Sequence, residues 1–142
     1  MTAESCSAGL LAARLSDADG ASSCLHGGIV AYTKMMKHAV LGVPERLLTE
    51  KTAVCAAVAH EMAAGAVHCT PANAAIAITG VAGPEPDEDG NPVGLMFIAV
   101  VTPRGAATKN LELGSRSKED ILSNAICAAL ELFVATAQER AA

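Results

Sequence analysis

The chain has 142 residues, a formal net charge of −5 and 51% hydrophobic residues, only three of them aromatic: Tyr32, Phe97 and Phe133. That length predicts one domain, spanning 1–142, able to bury roughly 70% of the surface its unfolded form exposes. With no basic cluster longer than a pair and no aromatic platform for stacked bases, the composition argues against nucleic-acid binding.

The five cysteines (Cys6, Cys24, Cys55, Cys69 and Cys127) show no CxxC or zinc-ligand spacing. They read as reduced thiols, with no metal and no cofactor implied. No apolar run approaches the roughly 20 residues a membrane helix requires. Glu4 and Arg14 interrupt the N-terminal apolar stretch, so no signal peptide is expected. The expected location is cytoplasmic, with no membrane partner.

In chain order, the opening hydroxyl-rich segment places Ser5 or Ser7 as the cap of a helix running to about Ser16 and stopping in Asp17–Gly20. His26 to Thr33 carries Gly-Gly before Ile-Val-Ala-Tyr, a short strand. Met35 to Leu41 predicts a helix ending at Gly42, and Pro44 opens another brief one to Thr49. Thr52 to Cys69 shows helical apolar spacing, with Thr52 as cap.

Ala74 to Thr79 is a continuous apolar run, as in a strand covered on both faces. The acidic stretch 85–91 reads as a loop. Val93 to Thr102 and Ala106 to Leu113, joined by the turn Pro103-Arg104-Gly105, predict an antiparallel hairpin. Ser115 to Arg140 closes the chain as a long helix capped by Ser117, with Asp120 as its capping-box partner. Alternating helices and strands predict a three-layer α/β/α sandwich with a mixed, mostly parallel sheet and one late antiparallel hairpin. Ligands in such sheets sit at strand ends where helices begin.

The stretch from Gly20 to Lys37 gathers Ser22, Ser23, two glycines, the sole tyrosine and two lysines. Serine is a weak nucleophile until a base takes its proton, and lysine serves as base when burial or a nearby cation lowers its pKa. A strand between Ser22 and Lys37 is expected to carry both to one end of the sheet. Lys37 has apolar neighbours in Met35, Met36, Val40 and Leu41. The ordinary alternatives are turn chemistry for Ser22 and Ser23, a rim position for Tyr32 and a solvated helix lysine. His38, His60 and His68 fit surface or boundary roles, and His26 a hydrogen bond near the loop. Thr79-Gly80 offers backbone N–H groups for an oxyanion, and Arg116, before the last helix, offers a cation for phosphate or carboxylate.

Ala3-Glu4-Ser5-Cys6-Ser7-Ala8-Gly9, and Gly20-Ala21-Ser22 with Gly27-Gly28-Ile29-Val30-Ala31-Tyr32, resemble the ESCTGG and GSS…GGxVAYS segments of the bacterial CinA C-terminal domain family, and the likeness continues in ordered segments along nearly the whole chain. Leu41-Gly42-Val43-Pro44 is similar to the family's LGVP turn, and Ile78 to Pro84 with Pro92-Val93-Gly94 to its TGIAGP…KPVG loop. The resemblance implies a metal-free amidohydrolase that converts nicotinamide mononucleotide to nicotinate mononucleotide and ammonia. By position it implies Ser22 as nucleophile, Lys37 as general base and Tyr32 as assisting hydroxyl. It also implies Thr79, Gly80, Arg116, Ser5 and Ser7 as substrate-binding residues.

The family's helix and strand before ESCTGG have no counterpart here, and Glu85, Asp87, Glu88 and Asp89 stand where the family has a glycine-rich, lysine-bearing stretch. A substrate-shifted or inactive nucleotide-binding module is therefore the alternative. A small-molecule nucleotide and a second copy of the chain are the expected partners.

Overall fold

In the computed structural model, which describes residues 1–139, a five-stranded sheet of order β2-β1-β3-β4-β5 is covered on both faces by helices. The strands are β1 (Thr2–Glu4), β2 (Gly28–Val30), β3 (Ala75–Gly80), β4 (Leu95–Thr102) and β5 (Gly105–Glu112). The helices are α1 (Leu10–Ser16), α2 (Ala21–Cys24), α3 (Lys34–Leu41), α4 (Glu45–Glu50), α5 (Ala56–His68) and α6 (Lys118–Gln138). β1 pairs parallel with β2 and β3, whereas β3–β4 and β4–β5 are antiparallel. The predicted sandwich and late hairpin are both present.

Side-chain alternation along the central strands builds two unlike faces. Ile76, Ile78, Met96, Ile98 and Val100 point to one side, against Leu11 of α1 and Ile121, Ala125, Ile126 and Ala129 of α6. Ala75, Ala77 and Ala99 point to the other, against Val58, Ala59, Met62, Ala63 and Ala66 of α5. Large residues fill the α6 face; alanines on both partners let α5 lie close to the sheet. With only three aromatic residues, this is how the chain reaches a filled core.

Several boundaries differ from expectation. β1 occupies residues expected to precede a helix, and α1 is capped at Gly9 in left-handed geometry with no side-chain bond, so neither Ser5 nor Ser7 caps it. Thr52 does not cap α5, whose N-cap is Cys55; its Oγ1 instead accepts from Val54 N at 3.0 Å. Ser117 does cap α6, accepting from Asp120 N at 3.1 Å. The expected end of that helix at Arg140 lies outside the described residues. α6 is also long and apolar enough, by length and composition, to cross a membrane, at mean hydropathy 1.5. The expectation that no such run exists is corrected: alanines and leucines between scattered polar residues raise the average. Here Ile121, Leu122, Ala125, Ile126, Ala128 and Ala129 of that helix are buried in the core.

Gly65 sets how closely α5 approaches the end of α3, because a Cβ there would run into the Leu41 carbonyl. Helix propensity alone makes Gly65→Ala stabilising by about 1 kcal/mol. Overpacking against a backbone carbonyl that cannot rotate away costs about 1–3 kcal/mol or more and outweighs it. Gly65→Ala is expected to lower the melting temperature by several degrees; a raised value would show that the helices part freely.

Candidate functional site

β1, β2 and β3 run parallel, so their C-terminal ends share one edge of the sheet. Ser5 follows β1, Ala31 and Tyr32 follow β2, and Gly80 ends β3. Backbone bonds lock these exits together: Ser5 N donates to Ile78 O at 3.0 Å, and Ala31 N to Glu4 O at 2.8 Å. A cavity of about 650 Å³ opens there, lined by Ser5, Cys6, Tyr32, Lys34, Lys37, Thr79, Gly80 and the 82–89 segment, among others.

Lys37 stands one turn into α3, whose start is fixed by Thr33 Oγ1 accepting from Met36 N at 3.2 Å. Its side chain turns inward and is 1% exposed. Nζ lies 2.8 Å from Ser5 Oγ and 3.0 Å from each of the Ala31 and Tyr32 carbonyl oxygens. Among the described residues, no carboxylate is bonded to it. Two carbonyls accept two N–H bonds, and the third position faces a hydroxyl that can donate as readily as accept. An ammonium can donate to all three oxygens while Ser5 Oγ donates to Tyr32 O at 3.4 Å, and an uncharged amine can donate to the two carbonyls and accept the Ser5 proton. Burial, aided by the Lys34 cation, pushes Lys37 down to about 8, against an opposing pull from Glu88.

Cys6, next to Ser5, is a poor rival nucleophile. Burial pushes its thiol up to about 12, so it stays protonated at neutral pH.

The structure separates the expected pair. Ser22 lies on α2, exposed, before the start of β2, whereas Lys37 follows the end of β2. The strand between them therefore carries them to opposite ends of the sheet. α2 instead borders a second cavity, of about 240 Å³, lined by Ala21, Cys24, Leu25 and the entry to β3. Ser23 shares that exposed position. Ser5, expected only to line the pocket, takes the place beside the lysine.

Among the other candidates, Thr79 and Gly80 line the cavity, with Thr79 Oγ1 donating to Ala53 O at 2.9 Å. Tyr32 lines it with a largely exposed side chain, and its carbonyl rather than its hydroxyl bonds Lys37. Ser7 turns away: its Oγ donates to Glu4 Oε1 at 2.8 Å. Arg116 is exposed and outside the cavity lining, where Lys118 appears instead. His26 borders the second cavity.

The acidic segment faces the site. Lys34 pairs with Asp89 Oδ2 at 2.9 Å and with Glu88 Oε1 at 3.5 Å. The Asp89 hydrogen bond holds Lys34 up, and Lys34 in turn holds Asp89 below the usual carboxylate range. Asp87 closes the loop on itself, accepting from Asn91 N and Asn91 Nδ2 at 2.7 Å each, and Asn91 Nδ2 also reaches Thr52 Oγ1 at 2.8 Å. The segment is thus tied to α3 on one bank and to the approach to α5 on the other. Among the described residues, no group of three or more His, Cys, Asp or Glu could hold a metal ion.

The family model described as the CinA C-terminal domain matches residues 1–137. The chain belongs to the CinA C-terminal domain family. A CinA-like protein of Frankia casuarinae is 44% identical over 131 residues, 92% of this chain and 30% of the relative. A CinA-like protein of Geobacter sulfurreducens is 44% identical over 108 residues, 76% of this chain and 26% of the relative. The chain thus spans less than a third of the length of these relatives. Among solved structures, the competence/damage inducible protein CihA of Agrobacterium tumefaciens aligns with a TM-score of 0.91 and 36% identity, covering 96% of this chain and 84% of that one. A CinA superfamily protein of Escherichia coli aligns at 0.88 and 34%, covering 96% and 78%.

A serine-directed sulfonyl fluoride is expected to modify Ser5, at a rate that rises with pH through about 8 as Lys37 loses its proton. Peptide mapping checks the position. An adduct on Ser22, or a pH-independent rate, would remove the dyad.

Proposed function

We propose that this CinA C-terminal domain is a serine/lysine amidohydrolase acting on the carboxamide of nicotinamide mononucleotide, with Ser5 as nucleophile and Lys37 as general base. The 2.8 Å contact between Ser5 Oγ and a buried lysine amine of lowered basicity carries this reading. Ser5 Oγ attacks the carboxamide carbon while Lys37 Nζ takes its proton. Backbone N–H groups of the turn after Ser5 bind the resulting oxyanion. Collapse breaks the C–N bond, and Lys37 hands its proton to the departing amine, giving ammonia. Water then attacks the acyl-enzyme as Lys37 takes a proton from it; the C–Oγ bond breaks and Lys37 returns the proton to Ser5.

Thr79 and Gly80 on the far wall fit contacts to the carboxamide, and Lys118 offers the cation that Arg116 was expected to supply. A substrate-shifted module is the second reading, favoured by Glu85, Asp87, Glu88 and Asp89 lining the same cavity. Each exposed carboxylate close to a phosphate costs about 1 kcal/mol in water-like dielectric.

Ser5→Ala is expected to abolish ammonia release from nicotinamide mononucleotide, with melting near wild type, and Ser22→Ala to keep it. Running the same assay on the dephosphorylated nucleoside separates the two readings. Turnover of the mononucleotide by Ser5→Ala would refute the assignment, and preference for the nucleoside would favour the shifted substrate.

A further inference from the structure

Glu4 immediately precedes Ser5 and is fully buried, with no lysine, arginine or histidine bonded to it among the described residues. Its Oε1 accepts from Ser7 Oγ and Leu11 N, both at 2.8 Å. Its Oε2 accepts from Thr2 Oγ1 at 2.9 Å and Ala12 N at 3.0 Å. A buried carboxylate is tolerated only when hydrogen-bonded throughout, and here four donors converge on it. Two of them are the N–H groups of the first turn of α1, whose N-cap Gly9 has no side chain to cover them. Glu4 supplies from the neighbouring strand the cap that the helix lacks.

The consequence falls on Ser5. The segment from Ser5 to α1 folds through two left-handed residues, Ala8 at φ +49° and Gly9 at φ +99°. Ala8 is the only non-glycine residue with positive φ among those described, and it holds a conformation that alanine disfavours. The turn is held at one end by Ser5 N on Ile78 O and at the other by α1. Among the described residues, the hydrogen bonds that join α1 and Ser7 to β1 all end on the Glu4 carboxylate. Gly28, on the neighbouring strand, leaves it the room: a Cβ there would stand 2.5 Å from Thr2 Oγ1 and 2.9 Å from the Ala12 Cβ.

Resting on the assignment of Ser5 as nucleophile, we infer that Glu4 is a positioning residue, whose carboxylate clamps the strand–turn–helix segment so that the Ser5 hydroxyl stays within hydrogen-bond reach of the Lys37 amine. It lies outside the cavity lining and makes no hydrogen bond to Lys37. Misplacement of a reacting group by about 1 Å can cost about 100-fold in rate.

The test uses the full chain carrying Glu4→Gln, with Ser7→Ala as a milder second variant. Whichever way the glutamine amide turns, its NH2 meets one of the two backbone donors, so the clamp on α1 is broken without loss of volume. Two rates are measured well below the melting transition: modification of Ser5 by a sulfonyl fluoride, and ammonia release. Glu4→Gln is expected to slow both by about tenfold or more, with KM within about twofold of wild type, and Ser7→Ala by a smaller factor. A residue that only stabilises the fold would lower the melting temperature and leave both rates per folded molecule unchanged; that outcome overturns the inference. If Glu4→Gln does not fold, Ser7→Ala decides, and wild-type rates in it overturn the inference. If the wild-type chain releases no ammonia yet Ser5 is modified, the amidase reading fails and the modification rate alone decides for or against Glu4.

Discussion

The site depends on one constraint: an amine held away from water, its three neighbouring oxygens all uncharged. Lys37 reaches two peptide carbonyls and a hydroxyl, and no carboxylate among the described residues. Lowering its pKa from 10.5 to about 8 corresponds to about 3 kcal/mol that the fold withholds from the charged form. Because the folded-state value is the lower one, the unfolded chain binds more protons between about pH 8 and 10.5. The domain therefore gains stability as pH rises through that window and carries the full cost below it. The packing of α3 and α5 around Gly65, Leu41 and Val43 holds the lysine in place against that cost.

Parallel pairing turns this local feature into a site. Three strand exits emerge at one edge, so the hydroxyl of Ser5, the carbonyls of Ala31 and Tyr32, and the Thr79-Gly80 corner converge without any of them being close in sequence. The same geometry removes Ser22. A three-residue strand between two groups places them at its two ends, and here those ends are opposite edges of the sheet. Sequence proximity misleads in this fold, because each crossing of the sheet exchanges one edge for the other.

The regular elements with long periodic patterns were legible: β3 as an apolar run, the β4–β5 hairpin, and α3, α5 and α6, including the Ser117 cap. β1 was not. Three residues, Thr-Ala-Glu, carry two buried polar side chains, which no hydrophobic pattern marks as a core strand. Their burial is possible only because Thr2 and Glu4 satisfy each other and the start of α1. Missing that strand hid the placement of Ser5 beside Lys37, since without it Ser5 and Ser7 read as helix caps. The available signal was a serine before a helix whose cap position is glycine, the strand–turn–helix placement that presents a nucleophile at a sheet edge. Lys37 was legible as a candidate from its apolar neighbours. That its partner lies 32 positions upstream depends on the pairing of β1 with β2, which composition and spacing do not encode.

The acidic segment is the feature whose placement alters the chemistry most. Tied to α3 through Asp89 and Lys34, and to the approach to α5 through Asn91 and Thr52, it crosses the mouth of the cavity instead of pointing away. The segment and the lysine that anchors it act on Lys37 in opposite directions: Lys34 lowers its basicity and Glu88 raises it. Because Lys34 is engaged by two carboxylates, it is not a free cation for an incoming phosphate, and a dianion must either displace Asp89 or lean on Lys118. A positively charged pyridinium ring meets the opposite situation, since the same carboxylates attract it. For the nicotinamide nucleotide proposed as substrate, the acidic segment would weigh its two ends differently, drawing in the ring that bears the carboxamide and resisting the phosphate.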